Sequence, residues 1–222
     1  IVARRVRFVK TRCALTRVAM RFIMTETAGK LYIHTCHTMF ASSDGYHHQA
    51  NCTFVVKESN MKLADSYYDV MNLSEGYVSH SFAQQIETDG KYIYRADLGD
   101  AYPRGIALTA TKVGDQVKDP SMYGTVIAIP GDTGYNYTGY TLNDLKLGTN
   151  NYILTGTGIK NEKTSVRNIY VNAGSKTHLQ TGAKWITNYT AKDKITVMNP
   201  KLVKLSGTQF LLLWEEKNTV KN

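Results

Sequence analysis

Several residues whose side chains could do acid–base or ligand-binding chemistry fall in or beside segments predicted as loops. Imidazole and carboxylate groups can transfer protons or bind divalent metals, and a guanidinium or a phenol can bind hydroxyl or acidic groups. The candidates are His37, His47, His48, His80, Asp97, Asp100, Tyr102 and Arg104. Most of them lie in two strings, HTCHTMFASSDGYHHQAN (34–51) and ADLGDAYPRG (96–105).

Three hypotheses fit these residues. The first is a divalent metal site with ligands His37, His47, His48, Asp97 and Asp100, although their spacing matches no known ligand motif. The second is an acid–base pair for glycoside chemistry, formed by the two aspartates, with Arg104 and a histidine orienting the substrate. The third is a polar recognition surface or simple loop stabilisation, because Asp44-Gly45 and Gly99-Asp100 are ordinary turn sequences. The third is favoured, and no cofactor is expected.

The elements that must position these residues come from an internal repeat. A turn-and-strand unit recurs with its turn at Gly29, Gly90, Asn150 and Gly207, a period of roughly 60 residues. The copies are RVAMRFIMTETAGKLYIHT (17–35), YVSHSFAQQIETDGKYIYRA (77–96), TGYTLNDLKLGTNNYILTG (138–156) and MNPKLVKLSGTQFLLLWEE (198–216). Such a period predicts one supersecondary unit that buries its apolar face on its neighbours.

Each unit is predicted to be a four-stranded blade. Alternating runs flank Asp89-Gly90, which is a strong hairpin signal, and further short strands follow. Radial repetition of such units predicts an all-β fold, a single β-propeller domain over residues 1–222. The blade units are about 17–76, 77–137, 138–197 and 198–222, the last completed by 1–16 if the ring closes within this chain. A larger ring of which this chain is a part is the alternative.

The register of the repeat predicts where the candidates meet. Loops between the second and third strands of a blade lie at the same end as the links between blades. We therefore expect the candidate residues to cluster at that end, near the central axis. Trp185 and Trp214 fall in predicted strands and are expected to pack in the core or between blades.

Charge and chain composition narrow the classes of partner. The net charge is +9, and seven basic residues with no acid lie in residues 1–21. A charged edge strand explains this better than a polyanion site, because no nucleic-acid motif or stacking platform accompanies it, so nucleic acid is not expected. No run approaches the roughly 20 apolar residues of a membrane span. Because the sequence begins at Ile1, either a leader has been removed or the chain is a fragment that accompanies other domains.

Four strings resemble segments of secreted or wall-attached β-propeller proteins of anaerobic bacteria. They are DGYHHQANCTFVV (44–56), GYVSHSFAQQIETDGKYIYRADLGDAYPRG (76–105), RNIYVNAGS (167–175) and KLVKLSGTQFLLLWEE (201–216). The resemblance implies blade strands and loops in these segments. It assigns no catalytic residues.

These observations lead to an expected function. We expect an extracellular or cell-surface binding or adhesion module that recognises a glycan or surface protein through one propeller face. The first alternative is a carbohydrate-active enzyme, a glycoside hydrolase or lyase on the same scaffold. The second is a basic scaffold subunit of a larger assembly. A binding role is favoured over catalysis at this point.

Overall fold

The computed structural model of the chain describes residues 14–15, 22–41, 47–70, 81–99, 105–113, 122–129, 139–160 and 164–220. All regular structure in these segments is β-strand or turn, as the all-β prediction requires. The chain divides into two compact units, Ile1–Met71 and Asn72–Asn222, which are described separately. Whether the whole chain acts as one domain stays a prediction.

The first unit contains one antiparallel sheet. Its strands are β1 (Ala14–Leu15), β2 (Phe22–Thr27), β3 (Lys30–Ala41), β4 (His47–Lys57) and β5 (Lys62–Val70). Strands β1 and β2 both pair with β3, at different stretches of it. Ala14 and Leu15 pair with Met39 and Thr38 of β3, respectively, and the pairing of residues 1–16 with 209–216, which is expected if the ring closes within this chain, stays a prediction. Residues 1–13 and 16 lie outside the described part of the chain.

The second unit contains three antiparallel sheets. The second sheet of the chain comprises β6 (Ser81–Thr88), β7 (Tyr92–Gly99), β8 (Gly105–Lys112) and β9 (Met122–Ala128), paired in sequence order. The third comprises β10 (Asp144–Leu147), β11 (Asn151–Ile159), β12 (Arg167–Ser175) and β13 (Lys184–Trp185), also in order. The fourth is the hairpin of β14 (Ile195–Lys204) and β15 (Phe210–Asn218).

The predicted equivalence of the repeats is confirmed. Strands β3, β7, β11 and β15 are each the second strand of their sheet, directly after the repeated turn. Gly29 and Gly90 have φ angles of 71° and 86°, which L side chains rarely adopt, so glycine is the suitable residue at both turns. Four-stranded blades with a repeat near 60 residues are thus the building units of this fold. The number of blades in a complete ring stays a prediction.

The core of the second unit lies between the second and third sheets. Strand register places Tyr94, Ala96 and Leu98 opposite Ala110, Leu108 and Ile106 on one apolar face. This face belongs to the same buried cluster as Leu145, Tyr152, Leu154 and Tyr170 of the third sheet. The first strand of the third sheet, β10, contacts the first strands of both neighbouring sheets, β6 and β14. Side chains on these three first strands are therefore brought together.

Candidate functional site

The sequence-predicted site residues are only partly within the described structure. His37 lies in β3 at a register shift between Thr35 and Thr38, and His47 and His48 begin β4. The expected loop over residues 34–51 is therefore shorter, because the ladder between β3 and β4 resumes after the shift and continues to Ala41 and His47. His80, Asp100, Tyr102 and Arg104 lie outside the described residues, so the clustering of the set stays a prediction.

Asp97 is the predicted candidate whose surroundings are described. It lies in β7 opposite Gln84 of β6, and only 1% of its surface is exposed. Arg95, two residues earlier on the same face, is 2% exposed. A carboxylate and a guanidinium buried side by side require polar partners, because an isolated buried charge is costly; both residues do make such interactions. In this structure Asp97 is an interior group of the second sheet.

A second charged group, not found from the sequence, lies where the first strands meet. Lys146 of β10 extends its ammonium between two carboxylates, with Nζ 2.5 Å from Glu87 Oε1 of β6 and 3.3 Å from Asp144 Oδ1. The side chains of Lys146 and Glu87 are 29% and 30% exposed, while that of Asp144 is 10% exposed. We call Glu87, Asp144 and Lys146 the inner-strand cluster.

The electrostatics of the inner-strand cluster keep Lys146 charged. Burial by itself would lower the pKa of Lys146, but hydrogen bonds and charge interactions with Glu87 and Asp144 raise it above its ordinary value. The ammonium form is therefore the stable one. An ionised carboxylate that is partly open to solvent can act as a nucleophile or general base.

Asp144 has a structural task within this cluster. Its Oδ1 accepts a hydrogen bond from the Leu145 N–H at 2.9 Å, and its Oδ2 accepts one from the Leu202 N–H of β14 at 3.0 Å. Lys201 completes the link by donating to the Asn143 carbonyl at 3.0 Å. Asp144 thus fixes the third sheet to the fourth, which leaves Glu87 as the more accessible carboxylate.

A polar network lies in the segment that precedes β10. Arg167 Nη1 donates to the Gly139 carbonyl at 3.2 Å and to Thr157 Oγ1 at 3.1 Å. The Thr141 hydroxyl lies 3.0 Å from the Thr157 hydroxyl and donates to Asn143 Oδ1 at 2.5 Å. This network holds the entry segment of β10 against β11, so it supports the strand that positions Asp144 and Lys146.

Within the described residues, no group of three or more His, Cys, Asp or Glu side chains is arranged to hold a metal ion. The proposed ligands of the predicted metal site lie partly outside the described part of the chain. No helix in the described segments is long and apolar enough to cross a membrane.

The inner-strand cluster escaped the sequence analysis because its members come from two sheets. Glu87 and Lys146 are separated by 59 positions, and neither belongs to a recognisable motif. The available signal was the repeat itself, since Glu87 lies three positions before the turn residue Gly90 and Lys146 lies four positions before Asn150. Both residues therefore lie near the ends of the first strands of successive units, and these strands are neighbours in a blade arrangement.

Similarity to known proteins is found in structure rather than in sequence. No protein-family model matches the chain, and no curated protein matches it significantly in sequence. Among solved structures, the α-L-arabinanase of Cellvibrio cellulosa complexed with arabinohexaose is similar, with 11% identity, a TM-score of 0.49, and coverage of 90% of this chain and 69% of that one. A second structure of that arabinanase has a TM-score of 0.45 at the same identity and coverage.

A third similar structure is a protein of Bacteroides ovatus ATCC 8483, provisionally named a hydrolase. It is 11% identical, has a TM-score of 0.39, and is matched over 85% of this chain and 52% of its own length. The similar structures are named as an arabinanase and a hydrolase, and none as a binding or adhesion module, which contradicts the main expectation from the sequence.

Proposed function

We propose that the chain is part of a carbohydrate-active enzyme, a glycoside hydrolase or lyase. The observation that carries the proposal is the inner-strand cluster, in which Glu87 and Asp144 flank the ammonium of Lys146 on neighbouring first strands. Glycoside hydrolysis requires carboxyl groups on either side of the scissile bond, and sugar elimination requires a base.

Glu87 is the carboxylate proposed to contact the substrate. It is more exposed than Asp144, and its Oε1 is oriented by Lys146. Asp144 and Lys146 act through Glu87 as positioning residues.

The experiment is a turnover assay on polysaccharides. The purified protein is incubated with arabinan, xylan and polygalacturonate, and new reducing ends and unsaturated products are measured. Arabinan is included because the similar solved structure is an arabinanase. We expect new reducing ends or unsaturated products from at least one polymer. Glu87→Gln should lower kcat at least about 100-fold, as removal of an acid–base group does.

The control is Glu58→Gln, which removes an exposed carboxylate from the turn before β5. It should retain parental turnover. Lys146→Met should lower kcat, because Glu87 loses the contact that orients its carboxylate. Absence of turnover on all three polymers, or equal activity of Glu87→Gln and the parent, would refute the proposal.

An extracellular or cell-surface location forms part of the proposal. Polymeric glycans are found outside cells, so an enzyme that cleaves them acts there. An antibody to the protein should detect it in the medium or on intact cells. Detection only after lysis would contradict this location.

A further inference from the structure

Two aromatic side chains in the second unit share one carboxylate oxygen. Tyr189, in the segment between β13 and β14, donates its hydroxyl to Glu216 Oε1 at 2.6 Å. Trp214 of β15 donates its indole N–H to the same oxygen at 2.8 Å. Both ring-bearing residues are partly buried and Glu216 is exposed. Glu216 thus fixes two rings whose surfaces are still open in part to solvent.

The electrostatics leave this carboxylate able to bind a ligand. The hydrogen bond from Tyr189, followed by that from Trp214, lowers the pKa of Glu216, so the group is ionised at neutral pH. Both donors approach Oε1, and within the described residues no hydrogen bond reaches Oε2. A carboxylate oxygen with free lone pairs is an acceptor for hydroxyl groups.

Further hydrogen-bonding groups lie beside the aromatic pair, Tyr189 and Trp214. Asn188, adjacent to Tyr189, accepts a hydrogen bond from Lys160 Nζ at 2.8 Å, and that ammonium lies 5.8 Å from the centre of the Trp185 ring. Lys160 directly follows the end of β11. The aromatic pair is therefore at the end of the sheets where β11 ends and β14 begins.

A purely structural role explains Trp185 but not Trp214. Trp185 packs at 6.0 Å and 6.1 Å from the rings of Tyr140 and Tyr170, against the buried cluster, as its position in a strand predicts. Trp214 is held by an exposed carboxylate instead. Rings that are apolar on their faces and polar at one edge suit a ligand that has the same mixture of surfaces.

We propose that Tyr189, Trp214 and Glu216 form a subsite for one sugar ring of a neutral polysaccharide. The ring's C–H face packs on the aromatic side chains, and its hydroxyl groups donate to Glu216 Oε2. The negative charge of Glu216 disfavours uronic acid units. This subsite is separate from the inner-strand cluster, because Lys146 pairs with Ile153 near the start of β11 and the aromatic pair lies where β11 ends. It rests on the proposed function, and it selects a neutral polymer, hence hydrolysis, over the uronate polymers that lyases cleave.

The test measures oligosaccharide binding directly in a Glu87→Gln background, so that no probe is consumed. The probes are arabinohexaose, cellohexaose and trigalacturonic acid, and affinity is measured by calorimetry. Trp214→Ala should weaken binding of the preferred neutral hexaose at least tenfold. The matched control is Leu213→Ala, which truncates the neighbouring residue, 51% exposed, on the other face of the same strand. It should leave the affinity unchanged.

A second variant keeps the proposal falsifiable if Trp214→Ala does not fold. Glu216→Gln keeps an oxygen for both aromatic donors and removes only the charge. It should narrow the preference for neutral hexaose over trigalacturonic acid, an effect that a merely structural carboxylate would not produce. Unchanged preference in Glu216→Gln, equal weakening by Leu213→Ala and Trp214→Ala, or no binding of any probe would overturn the subsite.

The two proposals fail separately. If the parent protein cleaves a polymer but its affinity does not change in the Trp214 and Glu216 variants, the enzyme proposal is supported and the subsite is refuted. If binding depends on Trp214 but no polymer is cleaved, the subsite is supported and the enzyme proposal is refuted.

Discussion

Replacing Asp144 by alanine tests whether a single carboxylate joins two sheets of the second unit. Asp144 is 7% exposed, and its Oδ2 accepts a hydrogen bond from the Leu202 N–H. Leu202 is 3% exposed. Leaving a buried donor without its acceptor costs about 1–3 kcal/mol, and loss of a charged acceptor belongs near the upper end. The Leu145 N–H and the Lys146 ammonium lose the same partner.

The expected result is a lower melting temperature. About 2–3 kcal/mol corresponds to a decrease of about 4–12 °C in a chain of this size, at ~2–4 °C per kcal/mol. Asp144→Asn retains one acceptor oxygen and should lose about half as much. Circular dichroism and calorimetry measure both variants against Glu58→Gln, which should melt as the parent does. A melting temperature of Asp144→Ala within about 1 °C of the parent would show that the carboxylate does not join the sheets.

Two further predictions concern packing and pH. Gly156→Ala should destabilise the second unit by roughly 2–4 kcal/mol, because the new Cβ would lie 1.8 Å from the Thr141 carbonyl oxygen. In the control Gly124→Ala, the new Cβ meets only a movable leucine methyl group, and the change should cost less than ~1.5 kcal/mol. Chemical denaturation compares the two variants, and equal losses of stability would contradict the packing. Lys176→Met should lower the melting temperature at pH 7 by about 1–4 °C, since Lys176 contacts Asp89 at 2.8 Å in a partly exposed pair. Burial would raise the pKa of Asp89, but hydrogen bonds from Lys176 and two backbone N–H groups lower it overall. The ion pair therefore stabilises the fold above the unfolded pKa near 4, and this stabilisation is lost as the pH falls through the folded pKa. A difference in melting temperature between variant and parent that persists undiminished at pH 2 would refute this.

The strand pattern was predictable because its determinants are local. The alternation on both sides of Asp89-Gly90 and the spacing of the turns lead directly to β7 and β11 as equivalent second strands. The extent of β3 and β4 was not predictable, because the pairing resumes beyond a register shift in a segment whose composition is typical of a loop. Sequence alone signals a turn at Asp44-Gly45, but not how far the flanking ladder extends.

The candidate site was less predictable for a different reason. Glu87 and Lys146 come together only through the packing of β6 against β10, and the contact depends on tertiary structure rather than on any motif. Trp214 was expected to pack in the core or between blades, since a tryptophan in an apolar strand is usually buried. It is partly exposed and donates a hydrogen bond to Glu216, a contact that a strand pattern does not reveal.

The contact between Asp144 and Leu202 also has a consequence for motion. The Leu202 N–H lies on the edge of β14 that does not face β15, so its protection from solvent depends on a side chain of another sheet rather than on a ladder partner. Its hydrogen exchange would report transient separation of the two sheets, while neighbouring amides bonded to β15 would report opening of the hairpin itself. A single backbone amide thereby distinguishes breathing between blades from unfolding within one.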